Sequence, residues 1–491
     1  MIWLLSLLAC TCSSPDPIKP TAPAPTAIVS GKTNVLVVVL DTVRADHLGF
    51  YGYDLPTSPN LDRWAADAVV FDQQISNCSW TKPSMGSIFT GLYPRTLGLY
   101  EERYDKLDAS FTMLSERFQE HGYFTLGVTS NPNMNDVFGF DQGFDAYGQS
   151  GVAFGWMNDS SKQGREVFGR DTPLEDAHEM TDRALAILDS HAEPLRNEPF
   201  YLQVVYIDPH WPYQQPPEHE AAVAGSKKPG YDGGIHYIDA EMQRLFDGMA
   251  SRGLLQDTLV VVAGDHGEGL WSHPGVPNTA WHGNTLYESV LHVPFVLHHP
   301  SLAARRVPDL TENLDIVPTI ADLLGWGVPD GLPGKSLADV ARGTGAAPQG
   351  RIVFSETDFR QNLKHSARTS THKYIRNDDA IRFGLGTFEG HELDGQDRKQ
   401  IANSPPEELY VLSAGMEMPR KNTPEAPETA VLRAALEQWE RDFPARAPDQ
   451  HDPADVLTGP DGKAVQDGSG QAFELDEATK NALKAIGYLE E

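Results

Sequence analysis

The stretch TLVVVAGDHGE at residues 258–268 is an apolar run that ends abruptly in Asp265, His266, Gly267 and Glu268. A continuous Val/Leu run predicts a strand buried on both faces, as in the parallel sheets of α/β proteins. Ligands of such sheets bind beyond the carboxyl ends of the strands, where these polar residues stand. A carboxylate beside an imidazole is a suitable ligand pair for a divalent metal. Alternatively, Asp265 only caps a turn or a helix, as Asp often does.

A second strand-like run points to the same edge. Residues 34–40, NVLVVVL, are apolar after the first position, and the run ends in Asp41. The functional edge of an open parallel sheet is formed by the carboxyl ends of its strands, so Asp41 and Asp265 are expected to lie close together. Two acidic strand ends make turn capping a weaker explanation than a metal site.

The following three hundred residues alternate strand-like and helix-like patterns. The further predicted strands are 124–128, 201–207 and 293–297, and predicted helices include 61–68 and 113–121. The strands are assigned from apolar runs and the helices from helical spacing of apolar residues. This alternation is typical of an α/β fold in which helices sandwich a mainly parallel sheet.

Composition divides the chain of 491 residues into three parts. Residues 1–33 contain an apolar leader and a Pro/Ala-rich tether, and 34–346 form the predicted catalytic domain. A Gly/Ala/Pro-rich break at 343–350 precedes a predicted smaller C-terminal α+β domain, 350–491. Helical apolar spacing at 475–489 predicts a closing helix that docks back onto the protein.

The charge balance excludes one class of partner. The chain carries 39 Lys and Arg against 69 Asp and Glu, a formal net charge of −30. This argues strongly against nucleic acid or another polyanion as partner. A small anionic substrate stays compatible with this charge, because a bound metal ion can invert the local field.

The first ten residues, MIWLLSLLAC, predict export. They are too short to span a bilayer but long enough for the apolar region of a signal peptide. Residues 7–10 resemble a bacterial lipoprotein box, in which Cys10 is lipidated, and 13–26 are typical of an extended tether. We therefore expect a membrane-anchored lipoprotein of a bacterial envelope, periplasmic or at the cell surface. A buried helix or a misplaced start codon are the alternatives.

The segment WTKPSMGSIFTGLYP at 80–94 places a hydroxyl at the start of a predicted helix. Pro83 suits the first helical turn. Thr81 would there face unsatisfied backbone N–H groups and the positive end of the helix dipole, which stabilise an alkoxide and an incoming sulfate or phosphate. Coordination by a metal would lower the pKa of the hydroxyl. Alternatively, Thr81 is only the N-cap of the helix.

Two histidines complete the candidate catalytic set. His210 lies in DPHWPY directly after a predicted strand, and His282 lies in HGNTLYE. Each could bind an ester oxygen or protonate a leaving alcohol, a role worth about 10²–10⁴-fold in rate. A lone loop histidine is more often structural, so the hypothesis requires both to lie in loops at one sheet edge. We expect Glu268, Asn284 and Lys82 to support the site from its periphery.

These motifs, in this order, resemble the sulfatase family of the alkaline phosphatase superfamily. The resemblance runs from residue 34 to about 336. The matching segments are 41–49, 59–62, 81–94, 208–210, 264–267, 286–288, 293–294, 316–320, 323–325 and 334–337. The resemblance implies an alkaline-phosphatase-like sheet, a metal-bound nucleophile that attacks sulfur or phosphorus, and a small C-terminal domain with a four-stranded antiparallel sheet.

The chain departs from the family at the nucleophile. Sulfatases convert a Cys or Ser, in a Cys/Ser-x-Pro-x-Arg motif, to formylglycine. Here Thr81 holds that position and Met85 that of the Arg, and threonine cannot become the aldehyde, so no formylglycine is expected. The second Asp of the family's metal pair is Thr42, and residues 128–131, Val-Thr-Ser-Asn, replace a segment that supplies a Lys and a His.

The remaining set, Asp41, Thr81, Asp265 and His266, is similar to the one-metal site of threonine-nucleophile phosphoryl transferases such as lipoteichoic acid synthases. The similarity implies Mn or Zn as readily as the Ca of sulfatases. The resulting hypothesis is a metal-dependent hydrolase of sulfate or phosphate esters of an alcohol, sugar or lipid, with a metal-bound Thr81 nucleophile. A phosphoryl- or phosphoglycerol-type transferase on the same site and a catalytically silent glycan-binding protein are the alternatives.

The organic part of the substrate is not identified by these motifs. Trp156, Trp211, Trp271 and Trp281 could stack on a sugar or aryl ring. Scattered aromatic residues more often belong to the core, and that alternative stays open.

Overall fold

A computed structural model describes the chain over residues 33–99, 105–149, 176–211, 213, 215–271, 281–359, 363–378, 405–413, 416–417, 426–446, 465–466 and 472–473. The leader, the tether, Trp156 and the predicted closing helix lie outside the described residues. Among the described residues, no helix has both the length and the apolar character needed to cross a membrane.

Within the described residues, the larger sheet has nine strands. They are β1 Asn34–Leu40, β2 Val69–Ile75, β3 Phe124–Thr129, β4 Ala146–Gln149, β5 Phe200–Tyr206, β6 Thr258–Gly264, β7 His292–Val293, β8 Phe295–His298 and β9 Arg305–Glu312. Their order is β4-β3-β5-β1-β6-β8-β2-β7, with β9 paired to β2. β1 runs parallel to both β5 and β6, whereas β8 runs antiparallel to β6 and β2. The predicted mainly parallel sheet is confirmed.

Helices cover the large sheet on both faces. The helices are α1 Pro59–Ala65, α2 Thr81–Thr90, α3 Pro94–Leu97, α4 Leu114–Glu120, α5 Ala177–Ser190, α6 Pro217–Ala222, α7 Pro229–Ser251, α8 Glu288–Leu291, α9 Ile316–Leu323, α10 Ala338–Arg342 and α11 Pro427–Asp442. Short 3-10 turns are Ala45–His47, Gly49–Tyr51, Pro132–Met134, Asp136–Phe138, Pro194–Arg196 and Asn313–Asp315. The two predicted helices correspond to α1 and α4.

The central strand β1 shows how the core is divided. Val35, Val37 and Val39 belong to one apolar cluster, with residues of α2, α4 and α9. Leu36 and Val38 belong to the other, with residues of α5 and α7. Successive side chains of a strand point to opposite faces, so an all-apolar strand requires a helical layer on each side.

The predicted strand 293–297 is divided in two by Pro294. β7 ends at Val293 and β8 begins at Phe295. Proline has no N–H to donate to a neighbouring strand, which explains the interruption. Its carbonyl still accepts a hydrogen bond of 2.8 Å from the amide of Gly264, so the segment stays attached to the end of β6.

A second, antiparallel sheet follows the first in the chain. Its strands are β10 Val353–Thr357, β11 Lys364–Arg368, β12 His372–Asn377, β13 Glu407–Ser413 and β14 Met416–Glu417, in that order across the sheet. β10–β13 match the four-stranded sheet implied by the family resemblance, and α11 packs on them through Leu432, Leu436 and Trp439. Val465–Gln466 and Ala472–Phe473 pair as a separate two-stranded ribbon. The domain limits at 346 and 350 stay a prediction.

A buried ion cluster joins the two sheets. Glu288 of α8 accepts hydrogen bonds from the Arg368 guanidinium at 3.0 and 3.1 Å and from Lys373 Nζ at 2.9 Å. Burial alone would raise the pKa of Glu288, but Arg368 and Lys373 more than offset it and lower the pKa to about 2. The carboxylate is therefore charged at neutral pH and is the counter-ion of both cations.

Removal of Glu288 should destabilise the protein strongly, because two buried cations lose their shared counter-ion. We expect Glu288→Ala to lower the free energy of unfolding by about 3 kcal/mol or more, measured by urea unfolding followed by circular dichroism. The control is Asp189→Ala, which removes an exposed ion pair of 2.6 Å with Arg252. The control should cost less than about 1 kcal/mol. Equal costs for both variants would contradict this role of the cluster.

Candidate active site

The ends of β1 and β6 place the two predicted carboxylates side by side. The strands are parallel neighbours, and Leu40 pairs with Gly264 in register. Asp41 and Asp265 are the next residues on each strand, and both are completely buried. The predicted meeting of the two acidic strand ends is confirmed.

His266 completes a compact group with these carboxylates. One potential ligand atom from each of Asp41, Asp265 and His266 lies within 4.8 Å of the others. His266 Nε2 is 3.3 Å from Asp265 Oδ2 and 3.8 Å from Asp41 Oδ1. Its Nδ1 lies 2.9 Å from the carbonyl oxygen of Gly267, which can only accept, so Nδ1 carries the proton. Nε2 therefore presents its lone pair to the carboxylates.

The carboxylate oxygens divide into bonded and unbonded atoms. Asp265 Oδ1 accepts from the amides of Thr42 at 3.1 Å and His266 at 2.6 Å, and Asp41 Oδ2 accepts from Asn131 Nδ2. The other two oxygens, Asp41 Oδ1 and Asp265 Oδ2, are buried without a hydrogen-bond partner. Asp265 Oδ1 thus caps the turn, as in the alternative interpretation of this residue. Asp265 Oδ2 is left for a ligand. Two unpartnered carboxylate oxygens beside an imidazole nitrogen fit a divalent cation.

Burial controls the protonation of this group. It raises the pKa of Asp41 to about 7, and it raises that of Asp265 well above the ordinary range, with added repulsion from Asp41. Burial and the nearby His282 lower the pKa of His266 well below its usual value. Without a cation, the site favours neutral forms because charged groups lose their hydration there.

Thr81 lies against the imidazole of His266. It is the first residue of α2, and Trp80 occupies the N-cap position, so the alternative that Thr81 is the N-cap is wrong. Its buried hydroxyl donates a hydrogen bond of 3.1 Å to His266 Nε2. Ser84, one turn later, donates 2.6 Å to the carbonyl of Asp265 and fixes the helix start to the end of β6.

The two predicted catalytic histidines lie on the same side of the site. The ring centres of His282 and His266 are 4.5 Å apart, and those of His282 and His210 are 4.9 Å apart. His282 Nδ1 is 3.3 Å from both oxygens of Glu268, the predicted supporting residue. His210 Nδ1 donates 2.7 Å to the carbonyl of Trp211, and His210 Nε2 is buried without a hydrogen-bond partner. Burial lowers the pKa of His210 to about 3, and His282 adds to this effect.

The other two predicted supporting residues have different surroundings. Lys82 is buried, and its Nζ lies 3.6 Å from the centre of the Phe138 ring, a cation–π contact. Asn284 is half-buried in the loop that carries His282. Their predicted support of the site stays a prediction.

Sequence reasoning missed two asparagines that shape the site. Asn131 bonds Asp41, although its segment was interpreted only as the loss of a family Lys and His. It is the second residue after β3, so the rule that identified Asp41 and Asp265 could have found it. Asn313 donates to the carbonyls of Gly264 and Asp265 at 3.2 and 3.3 Å. Asn313 directly follows β9, but residues 305–312, RRVPDLTE, are charged and contain a proline, so the sequence does not mark them as a buried strand.

Thr42, at the same edge of the sheet as Asp41 and Asp265, has a strained backbone conformation. Its φ is 58°, a left-handed conformation that is a rare outlier for a β-branched residue. The hydroxyl of Tyr231, on α7, donates 2.7 Å to the Thr42 carbonyl and accepts 2.9 Å from the Arg44 amide. This clamp holds the turn in which the Thr42 amide reaches Asp265.

The metal-free protein should respond to pH in a defined direction. The pKa of Asp41 is raised from 3.8 to about 7, so the proton it holds stabilises the fold at low pH, and this contribution is lost as the pH rises through about 7. We expect the melting temperature in EDTA to fall as the pH rises from 3.8 to about 7. Added Mn²⁺, Zn²⁺ or Ca²⁺ should raise the melting temperature most at the upper end of this range. Asp41→Asn is the control, and an unchanged pH dependence in this variant would contradict the assignment.

Comparison with known proteins identifies the family. A sulfatase family model matches residues 33–326, more than half of the chain. The uncharacterized sulfatase YidJ of Escherichia coli K12 is 22% identical over 362 residues, which cover 63% of this chain and 71% of that protein. A solved protein bound to its substrate D-glucosamine-2-N,6-O-disulfate has a TM-score of 0.64 at 16% identity, with 86% of this chain and 100% of that chain covered. The phosphonate monoester hydrolase of Agrobacterium radiobacter has a TM-score of 0.61 at 21% identity, covering 84% and 95%. The chain belongs to the sulfatase family, which implies a divalent metal ion, and is a sulfatase-like ester hydrolase.

Proposed function

We propose that the protein hydrolyses a sulfate or phosphate ester through a covalent intermediate on Thr81. The observation that carries the proposal is the position of the Thr81 hydroxyl, 3.1 Å from His266 Nε2 in a group with two unpartnered carboxylate oxygens. The motif resemblance of residues 81–94 supports this, because it implies that Thr81 occupies the position that sulfatases convert to formylglycine. The nucleophile is thus an unmodified alcohol.

The protein groups have separate tasks in the first step. Asp41, Asp265 and His266 would hold the divalent ion, which supplies charge neutralisation and lowers the pKa of an adjacent hydroxyl. The Thr81 hydroxyl would lose its proton to solvent when the ion is bound. Thr81 Oγ then attacks the sulfur or phosphorus and forms a bond to it, while the bond to the ester oxygen breaks and the departing alcohol takes a proton from a histidine. The water-excluded surroundings strengthen every interaction with the transferring group.

His282 is the better candidate for protonating the leaving alcohol. Its Nδ1 faces both oxygens of Glu268, so the carboxylate orients the ring and stabilises the charged imidazolium. His210 instead donates from Nδ1 to a neutral carbonyl, and its pKa is low. We assign to His210 the binding of the ester group and to His282 the proton transfer. After the alcohol leaves, His282 can accept a proton from the water that cleaves the Thr81 ester.

The substrate class follows from charge and from the relatives. The structural neighbour that binds a disulfated glucosamine supports a sulfated sugar, and the phosphonate monoester hydrolase supports phosphorus esters on the same fold. The same residues would serve a transferase if an alcohol, instead of water, resolved the Thr81 ester. The family membership favours hydrolysis over the catalytically silent alternative.

Thr81→Ala should abolish turnover and leave metal binding reduced but present. Loss of a covalent nucleophile lowers kcat by about 10³-fold or more, since no other group can form the intermediate. The substrates are 4-nitrophenyl sulfate, phosphate, a phosphodiester and a phosphonate, with Mn²⁺, Zn²⁺ or Ca²⁺ added back. Thr81→Ser, which keeps a hydroxyl, is the matched control and should retain turnover. Full activity of Thr81→Ala would sink the proposal, and product analysis in added glycerol separates hydrolase from transferase.

We also propose that the protein is exported and anchored to a bacterial envelope through lipid on Cys10. The leader and the lipoprotein-box resemblance support this. Cys10→Ser should move the protein from the membrane fraction to the soluble fraction of the producing cells, detected by immunoblot after ultracentrifugation. An unchanged distribution would contradict lipidation at Cys10.

A further inference from the structure

Backbone strain is concentrated around the candidate active site. Among the described residues, the non-glycine residues with positive φ are Thr42, Tyr213, Leu270 and Trp271, with φ between 50° and 58°. They lie in the loops that follow β1, β5 and β6, the three adjacent strands whose ends form the site. Such conformations cost about 1–3 kcal/mol each and persist where the surroundings enforce them, often at ligand sites.

Trp271 is the most unusual of these residues. Its side chain is 56% exposed, although tryptophan is normally mostly buried. Lys228 places its Nζ 4.6 Å from the centre of the Trp271 ring, within range of a cation–π contact. An exposed aromatic ring on a strained backbone contributes little to stability, so a role in binding is the better explanation for its position.

A pair of tryptophans flanks the two catalytic histidines. Trp211 directly follows His210, and Trp281 directly precedes His282. The ring centres of the two tryptophans are 5.8 Å apart in an edge-on arrangement, and both side chains are half-buried. The pair therefore lies at the border between the buried histidines and solvent.

The two aromatic groups are connected through the start of α7. Lys228 precedes this helix as its N-cap residue. Gly230, in its first turn, packs so closely on Tyr213 that a β-carbon there would lie 2.9 Å from the Tyr213 Cβ. Tyr213 belongs to the same loop as Trp211. Successive contacts thus connect Trp271 with Lys228, the start of α7 with the Tyr213 loop, and Trp211 with Trp281. We call this connected group the rim of the site.

We infer that Trp211, Trp271, Trp281 and Lys228 form a subsite for a sugar ring that carries the sulfate or phosphate ester. This inference rests on the proposed function and names its substrate class. Aromatic faces bind the C–H faces of a pyranose by dispersion and through their negative quadrupole. Lys228 is placed to meet a hydroxyl or a second anionic group of the sugar. A simple alkyl ester would fill the anion centre and leave this rim empty.

Binding to the Thr81→Ala protein with metal added tests the subsite without requiring turnover. The probes are glucose 6-sulfate and glucose 6-phosphate, each compared with the ethyl ester of the same acid, and phenyl sulfate, all measured by isothermal titration calorimetry. We expect one or both glucose esters to bind about tenfold or more tightly than the matching ethyl ester, the equivalent of about 1.4 kcal/mol. Glucose esters that bind no better than the ethyl esters, or no better than phenyl sulfate, would overturn the inference.

Variants in the same background separate the subsite from the anion centre. Trp271→Ala and Trp281→Ala should remove most of the preference for glucose esters, while Trp271→Phe should retain part of it. Trp326→Ala is the matched control, because this half-buried tryptophan stacks on His121 near the opposite ends of the strands. A uniform loss of affinity for ethyl and glucose esters in the Trp271 and Trp281 variants would show a structural role and overturn the inference. If the glucose preference holds but no ester is hydrolysed by the Thr81 protein, the proposed function fails and the subsite stands.

Discussion

The burial of two carboxylates within reach of one another is the constraint on which the rest of the site depends. Parallel pairing of β1 with β6 brings Asp41 and Asp265 to one sheet edge, where neither has access to water. Repulsion and desolvation oppose this arrangement, and the raised pKa values of both groups express that opposition. A divalent cation would offset this repulsion and desolvation, because it attracts both carboxylates and favours the charged form of each. The pairing of the central strands therefore favours binding of a divalent cation at this edge.

Holding these groups in place requires backbone positions that tolerate no alternative. A β-carbon on Gly267 would lie 2.2 Å from the Ser289 carbonyl oxygen, so the residue after His266 must be glycine. The clamp from Tyr231 keeps Thr42 in its left-handed conformation. The close packing at Gly267 and the Tyr231 hydrogen bond fix the turns that carry the proposed ligands. Neither Gly267 nor Tyr231 is itself a proposed ligand. Such supporting contacts determine ligand geometry as much as the ligands themselves.

Four of the predicted site residues lie after strand-like apolar runs. Asp41, and Asp265 with His266, come immediately after apolar strands, and His210 comes four residues after β5. The pattern of a buried parallel strand is strong enough to show where it ends. Thr81 was found from helix-start signals, although the structure assigns the N-cap to Trp80. Asn313 was not found, because β9, the strand before it, is charged and contains a proline and so lacks the apolar run that marks β1 and β6. The apolar run at 293–297 predicts one continuous strand, whereas the structure divides it at Pro294. The run alone does not show that proline lacks the backbone N–H needed for a strand hydrogen bond.

The proposed threonine nucleophile would change what the rest of the site must do. A formylglycine hydrate carries a second hydroxyl that can expel the bound group, whereas a threonine ester has no such internal route. Water or an alcohol must therefore attack the sulfur or phosphorus itself, and a base must receive its proton. In the proposed mechanism His282, whose Nδ1 faces Glu268, gives a proton to the leaving alcohol and is then in the form that accepts one. The same residue would thus serve both proposed steps, and the molecule that approaches it, water or an alcohol, would decide between hydrolysis and transfer.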